Sequence, residues 1–169
     1  MSNFGAMILS IFAAIWGISG LYTVHAPTWT LLAPVLVTAG VIVTLRRGGR
    51  ERVRPAAEMR RIGRVVMWAS AAEGVAILVA IKVVTSAGRP DLVVASVAAI
   101  VGLHFLPLAR AFPAPRYYVT AAALLLVAVV GFTFPSPMMV SVVCGSCAIV
   151  LWATAVSIAF DSPRTSLAP

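Results

Sequence analysis

Charge is what this chain has least of. Charged residues fill 11% of its 169 positions, against about 25% in an ordinary soluble domain. With 61% hydrophobic residues and a mean hydropathy of +1.02, too little polar surface remains to coat a water-soluble globule. The net charge of +8 would suggest nucleic acid in a soluble protein. Here no nucleic-acid role is read, because the excess sits in one segment between membrane-length apolar runs, where anionic lipid headgroups are the nearer partner.

Cysteine is nearly absent too. Cys144 and Cys147 stand one helical turn apart inside an apolar run, where a disulfide is poorly placed. A structural zinc site needs four ligands, and neither a second CxxC nor a nearby histidine is offered. Both cysteines read as small packing residues, and no metal or cofactor is expected. The chain also lacks a P-loop, an HExxH, a paired-aspartate motif for phospholipid chemistry and a haem-type histidine pair. Ser146 lies between Gly145 and Cys147, but rhomboid proteases place their serine before the histidine, and here His104 comes first without a GxSG. No catalytic residue is assigned, and the chain does not read as an enzyme.

What the chain does have is six apolar runs, at about 6–23, 28–45, 65–84, 92–108, 117–134 and 138–160. Each is long enough to cross the hydrocarbon core as a helix. The first run is expected to be a retained helix rather than a signal peptide, since no Lys or Arg precedes it and Pro27 would follow the cut. The expected fold is all-α, a single membrane domain over 1–169 with six transmembrane helices. The turns between runs are short, so the helices are expected to form three antiparallel hairpins. Gly17, Gly74 and Gly131 recur at intervals of 57 residues, but nothing around them repeats.

The segment Arg46–Arg64 (RRGGRERVRPAAEMRRIGR) holds eight of the thirteen Lys+Arg residues: Arg46, Arg47, Arg50, Arg52, Arg54, Arg60, Arg61 and Arg64. Arginine-dense loops between spans stay in the cytoplasm. That orientation puts both termini inside and splits the basic residues 11 to 2 across the membrane. With Glu51 and Glu58 the segment carries a net +6, and it is expected to contact anionic headgroups. Ala56–Arg64 is expected as a short surface helix ahead of the third span.

Glu73 is the residue that calls for an explanation. It lies nine positions past Arg64, roughly 13 Å along a helix and close to mid-membrane. A carboxylate there costs at least ~2.5 kcal/mol and faces a partner, a cavity or another helix. Ala69, Ser70, Ala76 and Ala80 fall on its side, a stripe of small residues that admits a close neighbour. His104 is the natural partner. It sits six residues before Arg110, roughly 9 Å from that end, and antiparallel packing brings it to a similar depth. Pro107 cannot donate to the carbonyl of Leu103, which is thereby left to bind a side chain, water or ion. Glu73, His104, Ser70, Leu103 and Pro107 form the candidate proton- or substrate-binding group. Two readings of it stand together: a stabilising hydrogen bond between helices, or a proton or cation relay.

The run Gly102-Leu-His-Phe-Leu-Pro-Leu-Ala109, followed by Phe112-Pro-Ala-Pro-Arg-Tyr-Tyr118, resembles a motif of small uncharacterised bacterial multispan membrane proteins. The resemblance covers Gly102–Tyr118 and implies a multi-pass protein of the bacterial cytoplasmic (inner) membrane, without implying an activity. Ala71-Ala72-Glu73 resembles the membrane glutamate of the small multidrug-resistance transporters, which exchange protons for cationic drugs. Those proteins have four spans with the glutamate in the first, so the likeness concerns chemistry alone. Two functions are compatible with the sequence. One is a small proton-linked transporter working as a homodimer. The other is a non-catalytic scaffold or accessory subunit bound to a membrane partner protein.

Overall fold

The computed structural model describes residues 3–48, 55–112 and 114–160. Among them every regular element is helical. The helices are α1 (Asn3–Thr23), α2 (Leu32–Gly48), α3 (Ala56–Ser86), α4 (Val93–Ala111), α5 (Arg116–Thr133) and α6 (Pro137–Phe160), and 3-10 turns at Thr28–Leu31 and Pro90–Leu92 lead into α2 and α4. All six helices are long and apolar enough to cross a membrane.

Proline sets the helix starts. Pro27, Pro55, Pro90, Pro115 and Pro137 each stand at or just before the first turn, where the missing N–H is no loss and the fixed φ suits the helix. Two helix ends are closed by paired backbone bonds of the Schellman type. At the end of α3, Gly88 takes φ +71°, its N–H bonds the Thr85 carbonyl, and the Arg89 N–H bonds Val84. At the end of α1, His25 does the same at φ +51°, with Ala26 N–H on the Leu21 carbonyl. These caps turn the chain within a few residues, which is why the loops after α1 and α3 are short.

The core is built by α1, α4, α5 and α6. Ala13, Ala98, Phe105, Tyr117, Leu124, Cys147 and Leu151 meet there, fully or almost fully buried. A second, smaller cluster of Ala6, Val41, Leu45 and Ala155 fixes α2 onto α1 and α6. Neighbours in sequence do touch (α1 with α2, α3 with α4, α5 with α6), but the most extensive contacts are α1 on α6 and α4 on α5. Small residues allow this. A Cβ on Gly20 would stand 2.9 Å from the Cβ of Cys144, so only glycine lets α1 lie this close to α6. Polar side chains tie the same group. Trp152 Nε1 donates to Thr38 Oγ1 at 3.0 Å, and Thr38 donates to the Ser10 carbonyl at 3.0 Å, linking α6, α2 and α1. Thr120 and Thr154 share a 2.8 Å hydrogen bond between α5 and α6, and Thr23 and Ser141 one of 2.6 Å between α1 and α6.

Helix α3 stands apart. Its extensive helix contacts are with α4, and none of its membrane-length apolar window is buried. It is also one continuous helix of 31 residues. The expected short surface helix over Ala56–Arg64 is therefore not separate: Arg60, Arg61 and Arg64 ride on the first turns of the same helix that carries Glu73. Nothing in that stretch breaks a helix, because Gly63 alone costs only ~1 kcal/mol relative to alanine.

Candidate functional site

The seam between α3 and α4 follows a simple repeat. Ile62, Val65, Val66, Ala69, Glu73, Ala76, Ile77, Ala80 and Val84 are the more covered positions of α3, returning every three or four residues as one face of a helix must. Alanines at 69, 76 and 80 keep the two backbones near. Glu73 is the one charged residue on that face, and it points at α4 rather than at the outside.

There it meets His104. Glu73 Oε2 and His104 Nδ1 are 3.4 Å apart, with side chains 21% and 12% exposed respectively. Trp68, beside the seam just over one turn before Glu73, is 70% exposed by comparison. Both titratable groups are thus withdrawn into the seam. The contact is at ion-pair distance but lacks hydrogen-bond geometry, and Nδ1 has no hydrogen-bond partner among the described residues. The imidazole is steadied by its neighbour Phe105, edge to face at 6.1 Å, and Phe105 stacks in turn on Tyr117 of α5. The histidine is consequently anchored to the packed core, whereas the glutamate hangs from a helix held on one side.

The other candidates divide. Pro107 lies within α4 and lines an open groove of about 570 Å³ between the start of α3 and the end of α4, together with Arg61, Arg64, Val65, Trp68 and Ala69. Its missing N–H leaves the Leu103 carbonyl without its i+4 donor, but the Leu103 side chain is 53% exposed and turned away from α3's partner face. Ser70 is exposed on the outer side of α3 and is not brought to the pair. It is one residue past Ala69, a rotation of about 100° that carries it off the seam. Gly102 serves another interface, since a Cβ there would meet the Leu125 side chain at 3.0 Å and the Leu125 backbone nitrogen at 3.2 Å. It lets α5, not α3, approach α4.

Of the arginines, Arg46 and Arg47 are exposed in the last turn of α2, and Arg60, Arg61 and Arg64 are exposed on α3. Arg50, Arg52 and Arg54 lie outside the described residues. Among the described residues no three His, Cys, Asp or Glu gather as metal ligands. Cys144 and Cys147 are both buried free thiols at the α1–α6 contact. The groove could not be foreseen from the sequence. Its only advance signal is arginine at 61 and 64 followed by Trp68, one turn on.

Set against known proteins, the chain finds no match among protein-family models, among curated proteins or among solved structures.

Proposed function

We propose that the six helices cross a bacterial cytoplasmic membrane as three antiparallel hairpins, with both ends on the arginine-bearing side, and that the protein is a small proton-linked transporter. The observation that carries this is the Glu73–His104 pair, 3.4 Å apart and turned inward near the middle of the longest apolar helix. A carboxyl and an imidazole at this range can share one proton. With one proton between them the pair has no net charge, which hydrocarbon tolerates. Adding or removing a proton leaves one uncompensated charge, which is costly in that setting. A solute of the opposite sign, or a change of exposure, offsets it. Proton movement and solute movement are coupled by that requirement. The absence of a tight hydrogen bond fits a pair that parts and rejoins rather than a static strut.

The experiment is reconstitution into liposomes with an entrapped pH dye and an imposed pH gradient, scanned over cationic, anionic and neutral solutes. Wild type is expected to move protons with one class. Glu73→Gln is expected to abolish that movement while its elution profile and thermal unfolding stay those of wild type. If Glu73→Gln matches wild type with every solute the wild type moves, the transporter reading is lost.

A second reading, a scaffold or accessory subunit, is favoured by one observation. The outer side of α3 presents Met67, Val75, Leu78 and Val79, all more than half exposed, a surface that a second copy or another membrane protein would cover. On that reading Glu73→Gln acts only through stability, and the loop arginines matter more.

A further inference from the structure

The groove at the arginine-bearing end of the α3–α4 seam has the chemistry of a two-part ligand. Its volume of about 570 Å³ falls within the roughly 300–1,000 Å³ of small-molecule sites. Arg61 and Arg64 stand at one end and are exposed. Among the described residues no acid stands within ion-pair distance of either guanidinium, and no acid lines the groove. Val65, Trp68, Ala69 and Pro107 form the remaining wall, which is apolar apart from the indole N–H. Pro107 adds no N–H to it. A free anion would satisfy the two arginines and leave this wall bare. A neutral lipid chain would cover the wall and leave the arginines unanswered.

We infer that this groove is a site for an anionic phospholipid, its phosphate held by Arg61 and Arg64 and one acyl chain lying against Val65, Trp68, Ala69 and Pro107. Basic pockets between membrane helices take anionic headgroups for the same reason, and an arginine pair suits the phosphate oxygens by its fork of N–H donors. Ala69 is one turn from Glu73, and Pro107 is three residues from His104, so the chain covers the seam beside the titratable pair. The site depends on the helices crossing a membrane as proposed above. It does not depend on proton exchange.

The test uses the purified full chain in non-ionic detergent. Native mass spectrometry counts bound lipid on titration with phosphatidylglycerol, with phosphatidylcholine, and with phosphatidylglycerol in the presence of excess inorganic phosphate. Wild type is expected to prefer phosphatidylglycerol, and phosphate is expected not to displace it. R61Q/R64Q is expected to lose about 25-fold in phosphatidylglycerol affinity, roughly 1 kcal/mol per arginine, while R46Q/R47Q on α2 retains wild-type binding. A second measurement does not rely on R61Q/R64Q folding: brominated phosphatidylglycerol is expected to quench a part of the wild-type tryptophan emission that W68F lacks. Equal binding of both lipids, displacement by phosphate, equal losses in the two arginine pairs, or quenching unchanged in W68F each overturns the proposal. A chain that stays soluble without detergent refutes the membrane crossing itself, which separates that failure from a failure of this site.

Discussion

The α1–α6 contact and the α3–α4 seam are built by opposite rules. In the first, glycine brings backbones together, Thr23 and Ser141 share a neutral hydrogen bond of 2.6 Å, and beside them Trp152 of α6 donates to Thr38 of α2 at 3.0 Å. In the second, α3 packs chiefly on α4, and Glu73 meets His104 across the seam at 3.4 Å without hydrogen-bond geometry. Neutral hydrogen bonds between hydroxyls, indole and carbonyls have one state over the physiological pH range. A carboxyl and an imidazole have several. The difference teaches that this bundle keeps its fixed polar contacts where packing is dense and its changeable one where packing is sparse.

The sharpest way to break that comparison is at the pair. Glu73→Gln is expected to bring proton movement in liposomes down to the level of protein-free vesicles, and Glu73→Gln/His104→Gln to be no worse than either single change, because the two groups act as a unit. Additive losses from the two single changes would mean that they work separately. The next largest effect is on stability. Gly20→Val pushes side-chain atoms into Cys144 and the Ser141 carbonyl, and overpacking of this kind is expected to cost about 1–3 kcal/mol by thermal unfolding in detergent. Gly74 has nothing within 4 Å of where a Cβ would be, so Gly74→Ala is expected to be neutral or to gain up to ~1 kcal/mol from helix propensity. A similar loss at both glycines would show that α3 is as tightly held as α1. Trp152→Phe removes the donor to Thr38 and is expected to cost about 0.6 kcal/mol, the average for hydrogen bonds between membrane helices. Smallest of all, Ser70→Ala is expected to change neither stability nor transport, staying within about 0.5 kcal/mol. A clear transport defect there would bring the outer face of α3 back into the site.

The six helices were legible because membrane-length apolar runs interrupted by proline and glycine have few other solutions. The approach of Glu73 to His104 was legible as well. Counting residues from Arg64 and from Arg110 gives each side chain its place along its helix, and the short turn at Gly88 leads one helix into the other. Which helices pack most closely was not legible. In a chain whose surface and interior are both apolar, hydrophobicity does not mark the inward face, so nothing in the runs announces that α1 lies chiefly on α6. The glycines spaced by 57 illustrate the limit. Gly17 meets Pro34 and Trp152, and Gly131 meets Ala95 and Val143, whereas Gly74 faces open space. The three share a spacing and not a role. Ser70 was misplaced for a related reason, since small size fits a packing stripe on either side of α3 and only the seam itself decides which side is used.

The unbroken run of α3 has a mechanical consequence. At about 1.5 Å per residue its 31 residues reach some 46 Å, well past the ~30 Å of hydrocarbon. On the membrane crossing proposed above, its leading turns stand out of the bilayer or tilt steeply within it. No break in the helix lies between those turns and position 73, so a rotation or tilt of the first turns is carried along the same rod to the carboxylate.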